Sequence, residues 1–273
     1  MSDRNFILNL LNGGYKHIRR LFVNPYKKVG FGWLEVRRLK NLKEHGDHKI
    51  PFLGGQINFH DREEFLHSID EIFIKEIYKQ RLGDNPFIID CGANIGLSVI
   101  YLKKQSPSAR IIAFEPDDAN FALLKKNIEA FNFGNIELRK EAVWIDNTVL
   151  NFASEGSMAS KIDPSATGKK VEAIRLKDYL REKVDFLKID IEGAEYAVLK
   201  DIEEALVNVN NLFLEYHGTY SELGELCELF NMLYGRGFKF YIKEGVDLFR
   251  HPLINEKISH TSYDIQLNIF CFR

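Results

Sequence analysis

The turn Asp-Cys-Gly-Ala-Asn-Ile-Gly at positions 90–96 carries residue types that suit the binding of a small polar ligand. It follows an aliphatic run and leads into a segment with helical spacing, so the pattern predicts a turn between a buried strand and a helix. Gly92 and Gly96 permit positive φ and close approach of the backbone to a ligand, and Asn94 also tolerates the left-handed region. Asp90, at the strand end, can bind polar or cationic groups of that ligand.

A second acidic residue, Glu115, follows the next aliphatic run and lies 25 positions beyond Asp90. A carboxylate in that place can accept hydrogen bonds from both hydroxyls of a ribose. The turn itself lacks the GxGxxG pattern of dinucleotide-binding enzymes, because the third glycine is missing at that spacing. A glycine-rich turn alone is a weak signal, but the turn and Glu115 together indicate a site for a nucleoside without a pyrophosphate.

Two more polar groups follow strand-like runs, at Asp190-Ile191-Glu192-Gly193 and Glu215-Tyr216-His217-Gly218. A histidine with an ordinary pKa near 6.5 is suited to removing a proton from a hydroxyl, so His217 is the candidate base. Asp190 is expected to face the reacting groups. Glu192 either shares that role or caps the following helix. Asp190, Glu192 and His217 together are also a ligand set for a divalent ion, but their spacing does not require one, and no metal is predicted.

These residues need a scaffold in which several strand ends meet at one edge. Short aliphatic runs alternate with helical patterns from Pro86 onward, which predicts an α/β fold with a mostly parallel sheet and an antiparallel pair at one edge. The predicted strands are Phe87 to Cys91, Arg110 to Phe114, Ile136 to Arg139, Val184 to Ile189, Asn211 to Glu215, Phe238 to Lys243 and Ile265 to Phe272. The predicted helices are Leu97 to Lys104, Asp118 to Phe131, Ala194 to Ala205 and Ser221 to Tyr234. A long loop is expected from Asn147 to Lys170.

The first 82 residues form a predicted extension or lid, mostly helical, ahead of a domain at residues 83–273. Apolar residues recur at helical spacing from Phe6 to Phe22, and a second helix is expected from Glu63 to Arg81. Basic residues interleave with the apolar residues of the pattern from Phe6 to Phe22. That segment is therefore suited either to act as a docking helix or to contact a membrane surface peripherally.

Composition narrows the classes of function. The 273 residues are 45% hydrophobic and carry a formal net charge of -2, so no general basic field favours a nucleic-acid partner. The three cysteines lie far apart without a CxxC pair, which indicates a reducing, cytoplasmic setting rather than a disulfide framework or a zinc site. No apolar run reaches the roughly 18 residues that a membrane span requires.

Four motifs in this order resemble the FkbM family of methyltransferases. They are Asp-Cys-Gly-Ala-Asn-Ile-Gly, Ala-Phe-Glu-Pro ending at Pro116, Leu124-Lys125-Lys126-Asn127, and Phe-Leu-Lys-Ile-Asp-Ile-Glu-Gly-Ala-Glu from Phe186 to Glu195. The resemblance extends from about Glu71 to His217. It implies a Rossmann-like, seven-stranded class I methyltransferase sheet with S-adenosylmethionine as donor. It also implies O-methylation of a hydroxyl on a sugar, glycan or secondary metabolite.

The resemblance also implies positions for the donor. The residues implied on the methionine and ribose side are Asp90, Gly92, Asn94 and Gly96, with Glu115 on the ribose hydroxyls. Glu141 and Ala142, after the third strand of the domain, are implied near the adenine.

Three other classes remain open at this stage. A nucleotide-binding oxidoreductase is disfavoured by the absent dinucleotide pattern. A nucleic-acid methyltransferase commonly has an Asn or Asp-Pro-Pro-aromatic run after the fourth strand, where this chain has Asp190-Ile191-Glu192-Gly193. A non-catalytic nucleoside-binding module is disfavoured by the polar residues at four strand ends.

Overall fold

A computed structural model of the chain describes residues 24–152, 169–259 and 261–273. The chain divides into two compact units, Met1–Ile77 and Tyr78–Arg273. The helical pattern predicted from Phe6 to Phe22 lies outside the described residues. Within the described ranges, no helix is long and apolar enough to cross a bilayer.

The first unit contains two helices, α1 (Trp33–Lys40) and α2 (Arg62–Ile69), and an antiparallel hairpin of β1 (His45–Phe52) and β2 (Gly55–Asp61). Asp61 caps α2 by accepting a hydrogen bond from the Glu64 amide at 2.8 Å. The helix predicted from Glu63 to Arg81 is shorter than expected. It passes through a π-helical turn at Asp70–Ile74 and is broken by the positive φ of Glu76. The helical spacing also did not predict the hairpin.

The second unit is built on a seven-stranded sheet, in agreement with the sequence. Its strands are β3 (Phe87–Cys91), β4 (Arg110–Phe114), β5 (Ile136–Arg139), β9 (Val184–Ile189), β10 (Val209–Gly218), β11 (Lys239–Glu244) and β14 (Ile265–Phe272). Their order is β11-β14-β10-β9-β3-β4-β5. The five strands from β10 to β5 are parallel, while β14 is antiparallel to both of its neighbours. The predicted antiparallel edge pair is thereby confirmed, and β14 lies inside the sheet rather than at its edge.

Four helices accompany this sheet, at the predicted places. They are α3 (Leu97–Gln105), α4 (Asp118–Glu129), α5 (Glu195–Ile202) and α6 (Leu223–Gly235). The start of α4 is fixed by Asp117, whose side chain accepts hydrogen bonds from the amides of Ala119 and Asn120 at 2.8 and 3.0 Å. Every residue of β3 is buried, which explains why all of them except Asp90 are apolar.

A second, three-stranded sheet follows β5, in the order β6-β8-β7. It consists of β6 (Ala142–Trp144), β7 (Thr148–Phe152) and β8 (Lys169–Arg175). The prediction of a long loop from Asn147 to Lys170 is therefore wrong at both ends, where β7 and β8 lie. These segments form strands because alternating apolar residues such as Leu150 and Val171 pack into the core. Residues 153–168 of that stretch lie outside the described residues. A small ribbon of β12 (Phe249–His251) and β13 (Glu256–Lys257) separates β11 from β14.

The strand order reverses between β3 and β9, because the chain runs outward from β3 to β5 and then returns to the other side of β3. In open α/β sheets such a switch point forms a crevice outside the carboxyl ends of the strands. The polar residues singled out in the sequence follow β3, β4, β9 and β10, and these strands are neighbours in the sheet. The fold therefore brings them to one edge.

Candidate active site

The turn after β3 has the strained backbone that its sequence predicts. Gly92, Asn94 and Gly96 have φ values of 84, 47 and 94°. A Cβ atom at Gly92 would lie 1.8 Å from the backbone oxygen of Asp190, so no other residue type fits there. The turn from β3 and the segment after β9 are thus in direct backbone contact.

Glu115 lies against this turn, as the sequence predicted. It is 6% exposed, and its carboxylate accepts hydrogen bonds from the amides of Asn94 at 2.8 Å and Asp117 at 2.9 Å. Burial raises the pKa of Glu115 to about 7, against the opposing effect of these two hydrogen bonds. A buried carboxylate fixed by backbone amides is well placed to recognise a pair of ligand hydroxyls.

Asp90 is fully buried beneath the turn. Its Oδ2 accepts a hydrogen bond from the Ser98 hydroxyl at 2.5 Å, while its Oδ1 has no hydrogen-bond partner among the described residues. Burial raises the pKa of Asp90, although the neighbouring Lys188 opposes this shift. Although Oδ1 accepts no hydrogen bond among the described residues, its charge is balanced by the ammonium of Lys188 at 3.4 Å.

Lys188, the second-last residue of β9, joins the turn after β3 to the residues after β9. Its Nζ donates to the Gly92 carbonyl at 2.8 Å and to Asp190 Oδ2 at 3.0 Å, and lies 3.4 Å from Asp90 Oδ1. Burial alone would lower the pKa of Lys188, but Asp190 and Asp90 hold it well above its usual value. The sequence motifs did not mark this residue as functional, although a lysine inside an aliphatic strand is an available signal.

The segment after β9 is held by Glu195, the first residue of α5. The fully buried Glu195 carboxylate accepts hydrogen bonds from the amides of Ile191 at 3.1 Å and Gly193 at 3.0 Å. Glu192, between them, adopts a left-handed φ of 57°, and its carbonyl accepts a hydrogen bond from the Tyr263 hydroxyl at 2.9 Å. A strained, non-glycine residue fixed from two sides indicates a functional segment.

His217, at the end of β10, is buried among carboxylates, with a side chain that is 3% exposed. Its Nδ1 lies 3.2 Å from Glu195 Oε1, and its Nε2 lies 3.8 Å from both Glu192 Oε2 and Glu215 Oε1. Burial would lower the pKa of His217. The hydrogen bond to Glu195 and the charges of Glu195, Glu192 and Asp190 outweigh that effect and raise it to about 10. The imidazole therefore carries a proton near neutral pH, and acting as a base requires that this proton is first removed.

The fold gathers Asp190, Glu192 and His217, since one ligand atom from each lies within 4.8 Å of the others. The two residues implied near the adenine are placed differently from each other. Glu141 lines an open pocket of about 760 Å³ together with Pro116, directly after Glu115, and its Oε2 is held by Arg139 Nε at 3.1 Å. Ala142 is fully buried, backbone and side chain together, so it presents no exposed surface to a ligand.

Sequence reasoning missed the residues that support this site. These are Ser98, Lys188, Glu195, Glu215 and Tyr263. A glutamate in the first turn of a helix gives little signal, because acidic residues are common there for electrostatic reasons. Nothing in the sequence around Tyr263 distinguishes it from an ordinary core or surface tyrosine.

A seven-stranded sheet with one antiparallel strand next to its edge, and a glycine turn paired with an acidic residue at its switch point, define a Rossmann-like methyltransferase domain. The sequence agrees with that class, because the family described as Methyltransferase FkbM domain matches residues 90–240, more than half of the chain. The chain belongs to the FkbM methyltransferase family.

Known proteins resemble the chain to different extents. Methyltransferase sdnD of Sordaria araneosa is 30% identical over 213 residues, which cover 62% of this chain and 80% of that protein. The 31-O-demethyl-FK506 methyltransferase FkbM of Streptomyces tacrolimicus is 26% identical over 222 residues, which cover 67% of this chain and 82% of that protein. The crystal structure of methyltransferase FkbM from Methylobacillus flagellatus KT is 20% identical, with a TM-score of 0.49. That alignment covers 74% of this chain, which spans only 47% of the other protein's length.

Proposed function

We propose that the protein is an S-adenosylmethionine-dependent O-methyltransferase that acts on a hydroxyl of a sugar, glycan or secondary metabolite. The observation that carries the proposal is the bridge made by Lys188. Its hydrogen bonds to the Gly92 carbonyl and to Asp190 join a nucleoside-type turn to a polar cluster suited to an acceptor. A group-transfer enzyme needs its donor and acceptor sites held at a fixed separation.

The donor site fits S-adenosylmethionine, which supplies a methyl group activated by a positively charged sulfur. Glu115 is assigned to the ribose hydroxyls, because its carboxylate is buried and fixed by backbone amides. Oδ1 of Asp90 accepts no hydrogen bond among the described residues, although it lies 3.4 Å from the Lys188 ammonium, and we assign it to a polar group of the donor. Gly92, Asn94 and Gly96 supply backbone contacts, and the open pocket with Glu141 is assigned to the adenine side.

The acceptor end is assigned to Asp190 and His217. As the hydroxyl oxygen forms its bond to the methyl carbon, the carbon–sulfur bond breaks and its electron pair stays on sulfur. Asp190 takes up the hydroxyl proton, while His217 orients the hydroxyl and shares in proton removal only after its own proton has been lost. Lys188 holds one oxygen of Asp190, which leaves the other available to the acceptor.

A hydroxyl acceptor is favoured by the chemistry of this cluster and by a relative. Carboxylates and an imidazole suit the removal of a proton from a poor nucleophile. The name of the Streptomyces tacrolimicus relative refers to an oxygen position on its own substrate, 31-O-demethyl-FK506. From this relative we infer only that the acceptor atom is an oxygen.

Calorimetry with S-adenosylhomocysteine, followed by transfer of isotope-labelled methyl groups, tests the proposal. We expect binding of S-adenosylhomocysteine and label on a hydroxyl-bearing acceptor from a panel of sugars, glycans and polyketides. Binding of NADH without binding of S-adenosylhomocysteine would favour an oxidoreductase, and label on RNA or DNA would favour a nucleic-acid methyltransferase. Donor binding without turnover on the panel would favour a nucleoside-binding module.

The affinity for S-adenosylhomocysteine is expected to weaken as the pH falls through about 7, which is the pKa of Glu115. Above that pH the Glu115 carboxyl is charged and accepts both ribose hydroxyls, and below it the neutral form loses part of this capacity. Calorimetry with S-adenosylhomocysteine from about pH 8 to about pH 6 measures the effect, which linkage limits to roughly tenfold per pH unit. Glu115→Gln, which cannot titrate, is the matched control and should bind weakly at every pH. An equal pH response in the two proteins would assign the ribose contact elsewhere.

A further inference from the structure

The residues after β9 and β10 form a compact set of ligand atoms. Asp190 and Glu192 each offer a carboxylate oxygen and His217 offers an imidazole nitrogen, all within 4.8 Å of one another. Glu192 Oε2 and His217 Nε2 are 3.8 Å apart. Two atoms at this separation can both bond an ion at about 2.1 Å without moving apart.

The imidazole of His217 is oriented as a metal ligand usually is. Its Nδ1 is fixed by Glu195, a fully buried carboxylate that is itself held by the amides of Ile191 and Gly193. Metal-binding histidines typically use their second nitrogen in this way, toward a carboxylate that sets ring orientation and raises the basicity of the ligand nitrogen.

The other ring nitrogen of His217, Nε2, faces carboxylates at distances longer than a hydrogen bond. The side chain is 3% exposed, yet among the described residues Nε2 has no partner within hydrogen-bond distance. Its nearest acceptors are Glu192 Oε2 and Glu215 Oε1, each at 3.8 Å. An imidazole nitrogen that faces two carboxylates from 3.8 Å, within ion-pair distance but beyond hydrogen-bond distance, leaves room for a cation between them.

The charges around this position also favour a cation. Four carboxyl groups, on Asp190, Glu192, Glu195 and Glu215, lie around only two basic groups, on Lys188 and His217. An excess of carboxylates around a buried imidazole is stabilised when a divalent ion binds among them.

We propose that Asp190, Glu192 and His217 bind a divalent cation of the Mn²⁺ and Mg²⁺ class, with Glu195 orienting the imidazole. Two oxygens and one nitrogen suit such an ion, and imidazole favours Mn²⁺ over Mg²⁺. Lys188 holds Oδ2 of Asp190, so the second oxygen remains for the ion. The catalytic role of the ion, which is to lower the pKa of a bound hydroxyl, rests on the proposed function, whereas its binding does not. The proposal departs from the metal-free site that the sequence favoured.

Titration of the full chain with MnCl₂ after treatment with a chelator and buffer exchange tests the proposal. Electron paramagnetic resonance measures free Mn²⁺, and we expect saturable binding of one ion per chain. Glu192→Gln keeps the size of the side chain and should weaken binding by at least about tenfold. The matched control is Glu182→Gln, an exposed glutamate paired with Arg110, which should bind Mn²⁺ like the parent protein. No saturable binding by the parent, or equal affinity of the parent and Glu192→Gln, would overturn the proposal.

Glu195→Gln provides a second variant, because the amide retains the shape of the orienting group while losing its charge. We expect Mn²⁺ affinity to fall by about 10–100-fold, the usual effect of changing a residue that orients a metal ligand. Calorimetry with S-adenosylhomocysteine on the same samples separates the two proposals. Donor binding and methyl transfer without saturable Mn²⁺ binding would overturn the metal site alone. Saturable Mn²⁺ binding without donor binding would overturn the proposed function alone.

Discussion

Replacing Lys188 by methionine is expected to lower the free energy of unfolding by about 3–5 kcal/mol. Methionine keeps the unbranched apolar stem but removes the ammonium group that lies 3.4 Å from Asp90 Oδ1 and 3.0 Å from Asp190 Oδ2. Breaking a buried ion pair from one side leaves carboxylates without compensation in a poorly solvated place. Urea denaturation of the full chain measures the change.

Lys183→Met is the matched control for this experiment. Lys183 also pairs with an aspartate, Asp185 at 3.0 Å, but its side chain is 67% exposed. A solvated pair contributes at most about 1 kcal/mol, so the control should unfold at nearly the parental urea concentration. Equal losses in the two variants would mean that Lys188 does not hold the donor turn and Asp190 together.

His217→Ala is expected to lower methyl-transfer turnover by roughly 10²–10⁴-fold. The donor site is built by other residues, at the ends of β3 and β4, so the affinity for S-adenosylhomocysteine should change little. The loss is expected whether the imidazole acts on the proton itself or through a bound ion, since both require Nε2 at the acceptor. Steady-state kinetics with labelled donor and calorimetry measure the two effects separately.

The alanine variant also leaves the buried Glu195 without its partner, so His217→Asn is a useful companion. The asparagine amide can still donate to Glu195 from near the position of Nδ1, while the function of Nε2 is removed. The matched control is His251→Ala, because His251 is 62% exposed and pairs only with Glu256 at 3.6 Å. Turnover of the asparagine variant within a few-fold of the parent would exclude His217 from catalysis and leave Asp190 as the residue acting on the acceptor.

The strands that carry the site could be predicted closely from the sequence. The strands β3, β4 and β9 are largely buried, so their residues are mostly apolar, with Asp90 and Lys188 as buried exceptions. The glycine turn and Glu115 lie at the ends of β3 and β4, where polar side chains reach a crevice rather than the core. Local pattern was therefore sufficient to predict the strand ends at which the proposed donor residues lie.

The hairpin of β1 and β2 and the sheet of β6, β7 and β8 were not predicted from the sequence. β1 is mostly exposed and carries charged, proline and glycine residues in His-Gly-Asp-His-Lys-Ile-Pro-Phe, whereas β6 is buried but only three residues long. The composition of β1 is that of a loop, and only its pairing with β2 makes this segment a regular strand. The partner of β8 in β6 lies about thirty residues away, beyond the range of any periodic pattern.

The sequence by itself determined the domain type and the strand ends that carry the candidate site, because burial and backbone strain restrict residue choice locally. Only the tertiary structure decided which of the candidate residues lie together. Lys188 reaches the Gly92 carbonyl across 96 positions, and His217 meets Glu195 across 22, through contacts that depend on strand order. Periodicity indicates that a side chain is buried, but not which charge lies beside it. The charges that surround His217, and the raised pKa that they cause, therefore follow from the fold alone.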